Sequence, residues 1–181
     1  MPEIEVVLPA ARANLFSFIV FGATFIVFGI PFILLWKMSH FLNGVVDFLT
    51  NWLTLIIVLV GGMLLHELLH AVVFAAFCKH GFASVSFGVK WKHLSPYVHC
   101  EEALALWPYR LGTLMPGLVL GIIPGVIALI IGNAWLLTFS LFFTAGAAGD
   151  FFSLMKLMNA DRRYMVIDHP REAGFILKAR P

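Results

Sequence analysis

The sequence predicts an all-α integral membrane protein with about four transmembrane helices and a small cytoplasmic-side β-hairpin between the second and third. Three observations predict it: the composition, four long apolar runs, and a lopsided distribution of cations. Of 181 residues, 61% are hydrophobic and 12% charged, and the mean hydropathy is +0.94. Ordinary globular chains are roughly 45–50% apolar and 25% charged. A soluble domain near this size buries only about 70% of the surface its unfolded chain exposes, so it could not hide this much apolar surface. Disorder is excluded as well, because it requires low hydrophobicity and high net charge. A net charge of +2 and a pI near 8.7 give no nucleic-acid surface.

About 20 apolar residues span a bilayer, and four runs are long enough. They cover about 15–36, 53–77, 111–131 and 134–157. The first exceeds the usual 7–15 apolar residues of a signal peptide and lacks a cleavage pattern, so it reads as a retained span. The second is interrupted by His66, Glu67 and His70, the third holds Pro116 and Pro124, and the fourth holds Asp150. Gly132-Asn133 is short enough to make the third and fourth spans an antiparallel hairpin. The prolines predict kinks in the third span. Trp107-Pro108-Tyr109-Arg110 reads as its interfacial anchor. Residues 79–110 are the one long polar connection, and 158–181 form a tail. The whole chain, 1–181, reads as a single membrane-embedded domain.

Cations orient the spans. Four spans put both termini and the 79–110 segment on one side. Arg12, Lys79, Lys90, Lys92 and Arg110 lie there, with six more cationic residues from Lys156 onward, and Lys37 alone lies opposite. The positive-inside rule makes the crowded side cytoplasmic, which suits a plasma-membrane protein. Cys78 and Cys100 then face a reducing compartment as free thiols.

The chemistry is concentrated in His66-Glu67-Leu68-Leu69-His70. Four residues of helix turn through about 400°, so both imidazoles point the same way and can grip one metal ion. Glu67 lies about 100° round the helix, free to move protons beside that metal. Two histidines and a glutamate in mid-span are costly to insert unless they are partnered, and bound metal supplies a partner. A zinc site of this type takes a third protein ligand and leaves one position for water. Depth selects Asp150: the second and fourth spans run in the same direction, and Asp150 lies as far into the fourth as the histidines lie into the second. Asp47, Glu101, Glu102 and Asp168 fall outside the spans. A structural or proton-handling acid is the alternative reading of Asp150. Gly61, Gly62 and the run Ala145–Gly149 would let the two helices approach closely.

These pieces carry a resemblance. His66-Glu67-Leu68-Leu69-His70-Ala71, Gly149-Asp150 and Val166-Ile167-Asp168-His169-Pro170 resemble the membrane family of putative zincin peptidases. Through it, roughly residues 50–175 are similar to intramembrane zinc metalloproteases of the site-2-protease type. The resemblance implies one zinc ion held by His66, His70 and Asp150, with Glu67 as general base. It implies hydrolysis of peptide bonds in membrane or membrane-proximal proteins, with lipid and a protein or peptide substrate as partners. The alternatives are a non-catalytic membrane protein with a structural or regulatory metal site, and a small transporter using the same polar residues.

Residues 84–92 alternate as a half-buried strand does. Val85, Phe87, Val89 and Trp91 face one way, and Ser84, Ser86, Lys90 and Lys92 the other. His93-Leu94-Ser95-Pro96 forms a turn, and Tyr97–Cys100 returns as a second strand. The Val85-Phe87-Val89-Trp91 row is the candidate substrate-binding surface, since a strand edge can hold an unwound peptide. The alternative is a hairpin that covers the bundle. His99-Cys100-Glu101-Glu102 reads as a solvated loop, and His80 and His93 as interfacial. Asp168-His169-Pro170 reads as a capped turn, with a transition-state role for His169 as the outside alternative.

Overall fold

The computed structural model describes residues 3–91, 95–170, 172 and 174–179. Lys92, expected to end the first strand, and the expected turn residues His93 and Leu94 lie outside them; Ser95 and Pro96, expected in the turn, begin a strand instead. After β1 (Ile4–Val7), helix α1 (Ala10–Thr24) continues through a wider π-helical turn, Phe25–Gly29, into α2 (Ile30–Trp36). A second wide turn, Gly117–Ile122, joins α5 (Leu106–Pro116) to α6 (Ile123–Ile131). Each wide turn sits just before a proline near the start of the next helix, Pro31 or Pro124. Proline lacks the N–H and crowds the carbonyl four residues back, and widening the turn relieves both. The long helices therefore continue past their prolines.

Helix α3 (Met38–Thr50) is an element that the apolar runs do not reveal. The chain reverses into it at Lys37, whose φ of 76° is uncommon for a residue with a side chain. Its inner face carries Phe41, Gly44 and Phe48, spaced by three and four. Gly44 abuts the backbone of Ala134, where a Cβ would collide. Helix α4 (Trp52–Phe77) follows, with its start capped by the Asn51 side chain accepting from the Thr54 N–H at 3.2 Å. Gly132, at φ 70°, ends α6 in the left-handed conformation that glycine favours. Asn133 then caps α7 (Ala134–Gly146) through the Leu136 N–H at 2.8 Å.

Three helices among the described residues are long and apolar enough to cross a membrane: Arg12–Trp36, Trp52–Phe77 and Leu106–Ile131. The expected fourth span is two helices, α7 and α8 (Ala148–Met158), bent by 54° at Ala147. Counted together they make a fourth, broken span. The third helix begins five residues earlier than the apolar run, taking Trp107–Arg110 into its first turns. The Arg110 guanidinium there donates to the Leu157 and Met158 carbonyls at the end of α8.

The fold is mostly helical but not all-α. The hairpin is present, with β2 (Val85–Lys90) antiparallel to β3 (Ser95–Cys100) and Val85 opposite Cys100. A second, four-stranded antiparallel sheet has the order β1-β6-β5-β4. It gathers the N-terminus, β4 (Leu104–Ala105), β5 (Tyr164–Asp168) and β6 (Gly174–Ala179). The segment expected to be a tail is thus built into the fold. Each strand is short, and its partners lie far away in the sequence, so local pattern alone does not announce it. Buried Phe175, Leu177 and Val166 from this sheet share one core with Ala71 and Phe74 of α4, Tyr109 of α5 and Leu157 of α8. A second core joins Phe28, Phe32, Phe41, Ala128, Leu137 and Leu141 among the helices.

Candidate metal centre

The site forms where α4 meets the start of α8. His66 and His70 lie one turn apart on α4, with ring centroids 5.0 Å apart. The break at Ala147 swings α8 so that Asp150, in its first turn, faces them. The Asp150 carboxylate brackets both rings: Oδ2 lies 3.1 Å from His66 Nε2, and Oδ1 lies 3.3 Å from His70 Nε2. Ligand atoms of the three residues all lie within 4.8 Å of one another. Close approach is specified locally, since Gly62 on α4 meets the Phe143 ring of α7 where a Cβ would collide. Gly61, Gly146 and Gly149 face open space instead. Ala147 and Ala148 are the buried small residues at the break.

The second layer of contacts is as ordered as the first. His70 is buried and turns Nδ1 to the Gly112 carbonyl of α5, at 3.0 Å. Its ring stacks on Phe74 (5.9 Å, 13°), and Phe74 stacks on Tyr109 (5.3 Å, 28°). The Tyr109 hydroxyl donates to Asp168, which also accepts the Cys100 amide at 2.7 Å. His99 Nδ1 lies 3.9 Å from the same carboxylate. Burial pushes the Asp168 carboxyl above the usual range, while the Cys100 amide, the Tyr109 hydroxyl and the His99 charge draw it back. Glu67, beside the histidines, receives a backbone hydrogen bond from Val98 on β3.

A cavity of about 570 Å³ opens over these groups. Its walls include His66, Glu67, His70 and Asp150, together with His99 and Asp168. The Glu101 amide donates to the Ser84 carbonyl, so the hydrogen-bonded pairs of the hairpin are Ser86–His99 and Gly88–Tyr97. The amides of Val98 and Cys100 therefore face away from β2, onto Glu67 and Asp168.

A family model described as "Putative zincin peptidase" matches residues 59–165. The chain belongs to that family. No curated protein and no solved structure matches it.

Membership in the zincin peptidase family implies zinc, and the donor set fits that ion. Two ligands about 2.0–2.1 Å from a tetrahedral ion stand about 3.3 Å apart. The two histidine–aspartate separations match this spacing. The Gly112 carbonyl accepts from His70 Nδ1–H, which leaves Nε2 as the nitrogen turned toward Asp150. The arrangement is also that of a metal-bound histidine oriented by a backbone carbonyl.

The other predicted residues distribute differently. In the row proposed from alternation, Val89 lines the cavity and Val85 is buried in the core. Phe87 and Trp91 are exposed and do not line it. The cavity receives the opposite hairpin face, from Ser86, Tyr97 and His99. His169 has both ring nitrogens engaged: Nδ1 accepts the Glu172 amide at 2.8 Å, and Nε2 contacts Glu5. This makes it the cap of the β5–β6 turn. Glu102 is no free loop residue either. It ties the end of α4 to the hairpin through Ser84, the Lys79 amide (2.9 Å) and the His80 ring (3.0 Å). Sequence reasoning missed Tyr109 and the His99–Asp168 contact. The one available signal was the period-two step from Tyr97 to His99, which puts both on one strand face.

Proposed function

We infer that the protein is an intramembrane zinc metallopeptidase of site-2-protease type, with His66, His70 and Asp150 holding one zinc ion. One observation carries this reading: three donors from two separate helices converge to within 4.8 Å of one another, next to a glutamate on the same helix as the two histidines. Zinc bound there would act as a Lewis acid toward a water and a peptide carbonyl. Glu67 takes a proton from the attacking water and delivers it to the departing nitrogen, so the C–N bond breaks as a carboxyl group forms. The Val98 amide fixes the Glu67 carboxylate within the cavity.

An extended peptide is the substrate form that the hairpin suits. Ser86, Tyr97 and His99 put one face of the hairpin along the cavity, and the outward edge of β3 meets Glu67 there through the Val98 amide. A peptide added along such an edge is held by main-chain hydrogen bonds, which are indifferent to side-chain identity. The cation asymmetry supports a plasma-membrane protein with both termini and the hairpin in the cytoplasm, so substrates are membrane proteins or cytoplasmic segments close to the bilayer.

The test uses the full chain in detergent micelles, with β-casein as an unfolded substrate and elemental analysis of the purified protein. The wild type should contain one zinc per chain and cleave casein. Glu67→Gln should retain zinc and lose cleavage. Zinc present in a wild type that never cleaves would favour a structural metal, and chelator-insensitive ion flux in proteoliposomes would favour a transporter.

A further inference from the structure

We propose that His99, whose Nδ1 lies beside the Asp168 carboxylate, donates a hydrogen bond to the peptide oxygen as negative charge develops on it, making His99 a second catalytic residue. This deepens the peptidase reading and rests on it.

The argument begins with what Asp168 does. A largely buried carboxylate must be paired or hydrogen-bonded. Asp168 is fixed on two sides, by the Cys100 amide and the Tyr109 hydroxyl, and those bonds set its position without needing a charge on His99. Yet His99 Nδ1 faces the same carboxylate oxygen that the Cys100 amide reaches, at 3.9 Å. An imidazole that presents Nδ1 to a carboxylate carries its other nitrogen on the far edge of the ring. His99 lines the same cavity as Glu67 and the three converging donors. It is the next residue after Val98, whose amide meets Glu67.

The other candidates in the cavity wall are engaged elsewhere. His66 and His70 turn Nε2 to Asp150, the Tyr109 hydroxyl is bound to Asp168, and both nitrogens of His169 are occupied. His99 is one-quarter exposed, enough to meet a bound peptide. A donor placed before the reaction, in a site with little water, stabilises developing charge without reorganising.

The experiment compares wild type, His99→Ala and His99→Gln, all zinc-loaded in micelles. Calorimetry measures binding of N-phosphoryl-leucyl-phenylalanine, a tetrahedral mimic, against leucyl-phenylalanine, a product mimic. Cleavage of β-casein is followed in parallel. His99→Ala should keep its zinc and its affinity for the product mimic, while affinity for the tetrahedral mimic and kcat both fall about 100-fold. His99→Gln, which keeps an N–H, should recover part of both. Equal binding of the tetrahedral mimic by wild type and His99→Ala would overturn the proposal and leave the peptidase reading intact. Loss of zinc in both variants would assign His99 to holding the fold, and would overturn it too. A wild type that takes up neither zinc nor the tetrahedral mimic would sink the peptidase reading, and this proposal with it.

Discussion

His70 is held from behind by Gly112: the Gly112 carbonyl on α5 stands 3.0 Å from Nδ1 of a ring whose Nε2 faces Asp150. This single contact fixes which nitrogen can be a ligand and aims it. The glycine matters because a Cβ there would strike the Phe74 ring, which is stacked on His70. Gly112→Ala should therefore tilt both rings, and metal affinity should fall about 10–100-fold, the usual effect of disturbing a ligand's outer partner. Zinc titration against a competing chelator measures it, and an unchanged affinity would mean the carbonyl does not aim the ring.

Asp150 and Glu67 should separate cleanly. Asp150→Ala removes one of three donors and should leave the purified protein without stoichiometric zinc. Glu67→Gln should leave zinc in place and reduce casein cleavage by about 10²–10⁴-fold. Normal metal content in Asp150→Ala would show that the third ligand lies elsewhere.

Gly62 offers a packing test. The Phe143 ring of α7 occupies the space that a side chain there would need. Membrane helices approach closely only where residues are small. Gly62→Val should destabilise the α4–α7 contact by about 1–3 kcal/mol, the usual range for overpacking. A lower midpoint of thermal unfolding in micelles would record it, and Gly61→Val, facing open space, is the control that should change little.

The two thiols should be quiet despite their proximity. Cys78 and Cys100 are free, with sulfurs 3.3 Å apart. Burial pushes the Cys78 thiol up, and the Cys100 thiol up to about 12. Since the thiolate is the nucleophile, alkylation by iodoacetamide at pH 8 should be slow in the native chain and fast after unfolding. Mass spectrometry of the labelled protein reads this, and rapid native labelling of Cys100 would contradict its burial.

What could be read in advance follows from how local each signal is. His66, Glu67 and His70 share one helix, so their spacing alone carries their geometry. Asp150 was reachable because bilayer depth acts as a ruler that aligns separate helices. The break at Ala147, which actually turns Asp150 toward α4, was not legible: Ala145–Gly149 reads as uniformly small and signals approach rather than a bend. The sheet was hidden for a different reason. Gly174, whose Cβ would collide with the Val6 carbonyl, earns its place only once β1 arrives from the other end of the chain. His99 and Asp168 were hidden in the same way, since their contact depends on docking the hairpin against that sheet.

The last prediction concerns pH. Glu102 is held down to about 2 from its ordinary 4.5, first by the Ser84 hydroxyl, then by the Lys79 amide and the His80 side chain. A carboxyl with a depressed folded-state value stabilises the fold fully above its unfolded value. That contribution should be whole above pH 4.5 and disappear as pH falls toward 2. Glu102→Gln should therefore unfold at a lower temperature than wild type at pH 7, and the gap should narrow steadily below pH 4.5. Thermal unfolding of both proteins across that range is the measurement. A gap that persists unchanged at pH 2–3 would mean that the contacts at the end of α4, rather than the charge of Glu102, hold the hairpin in place.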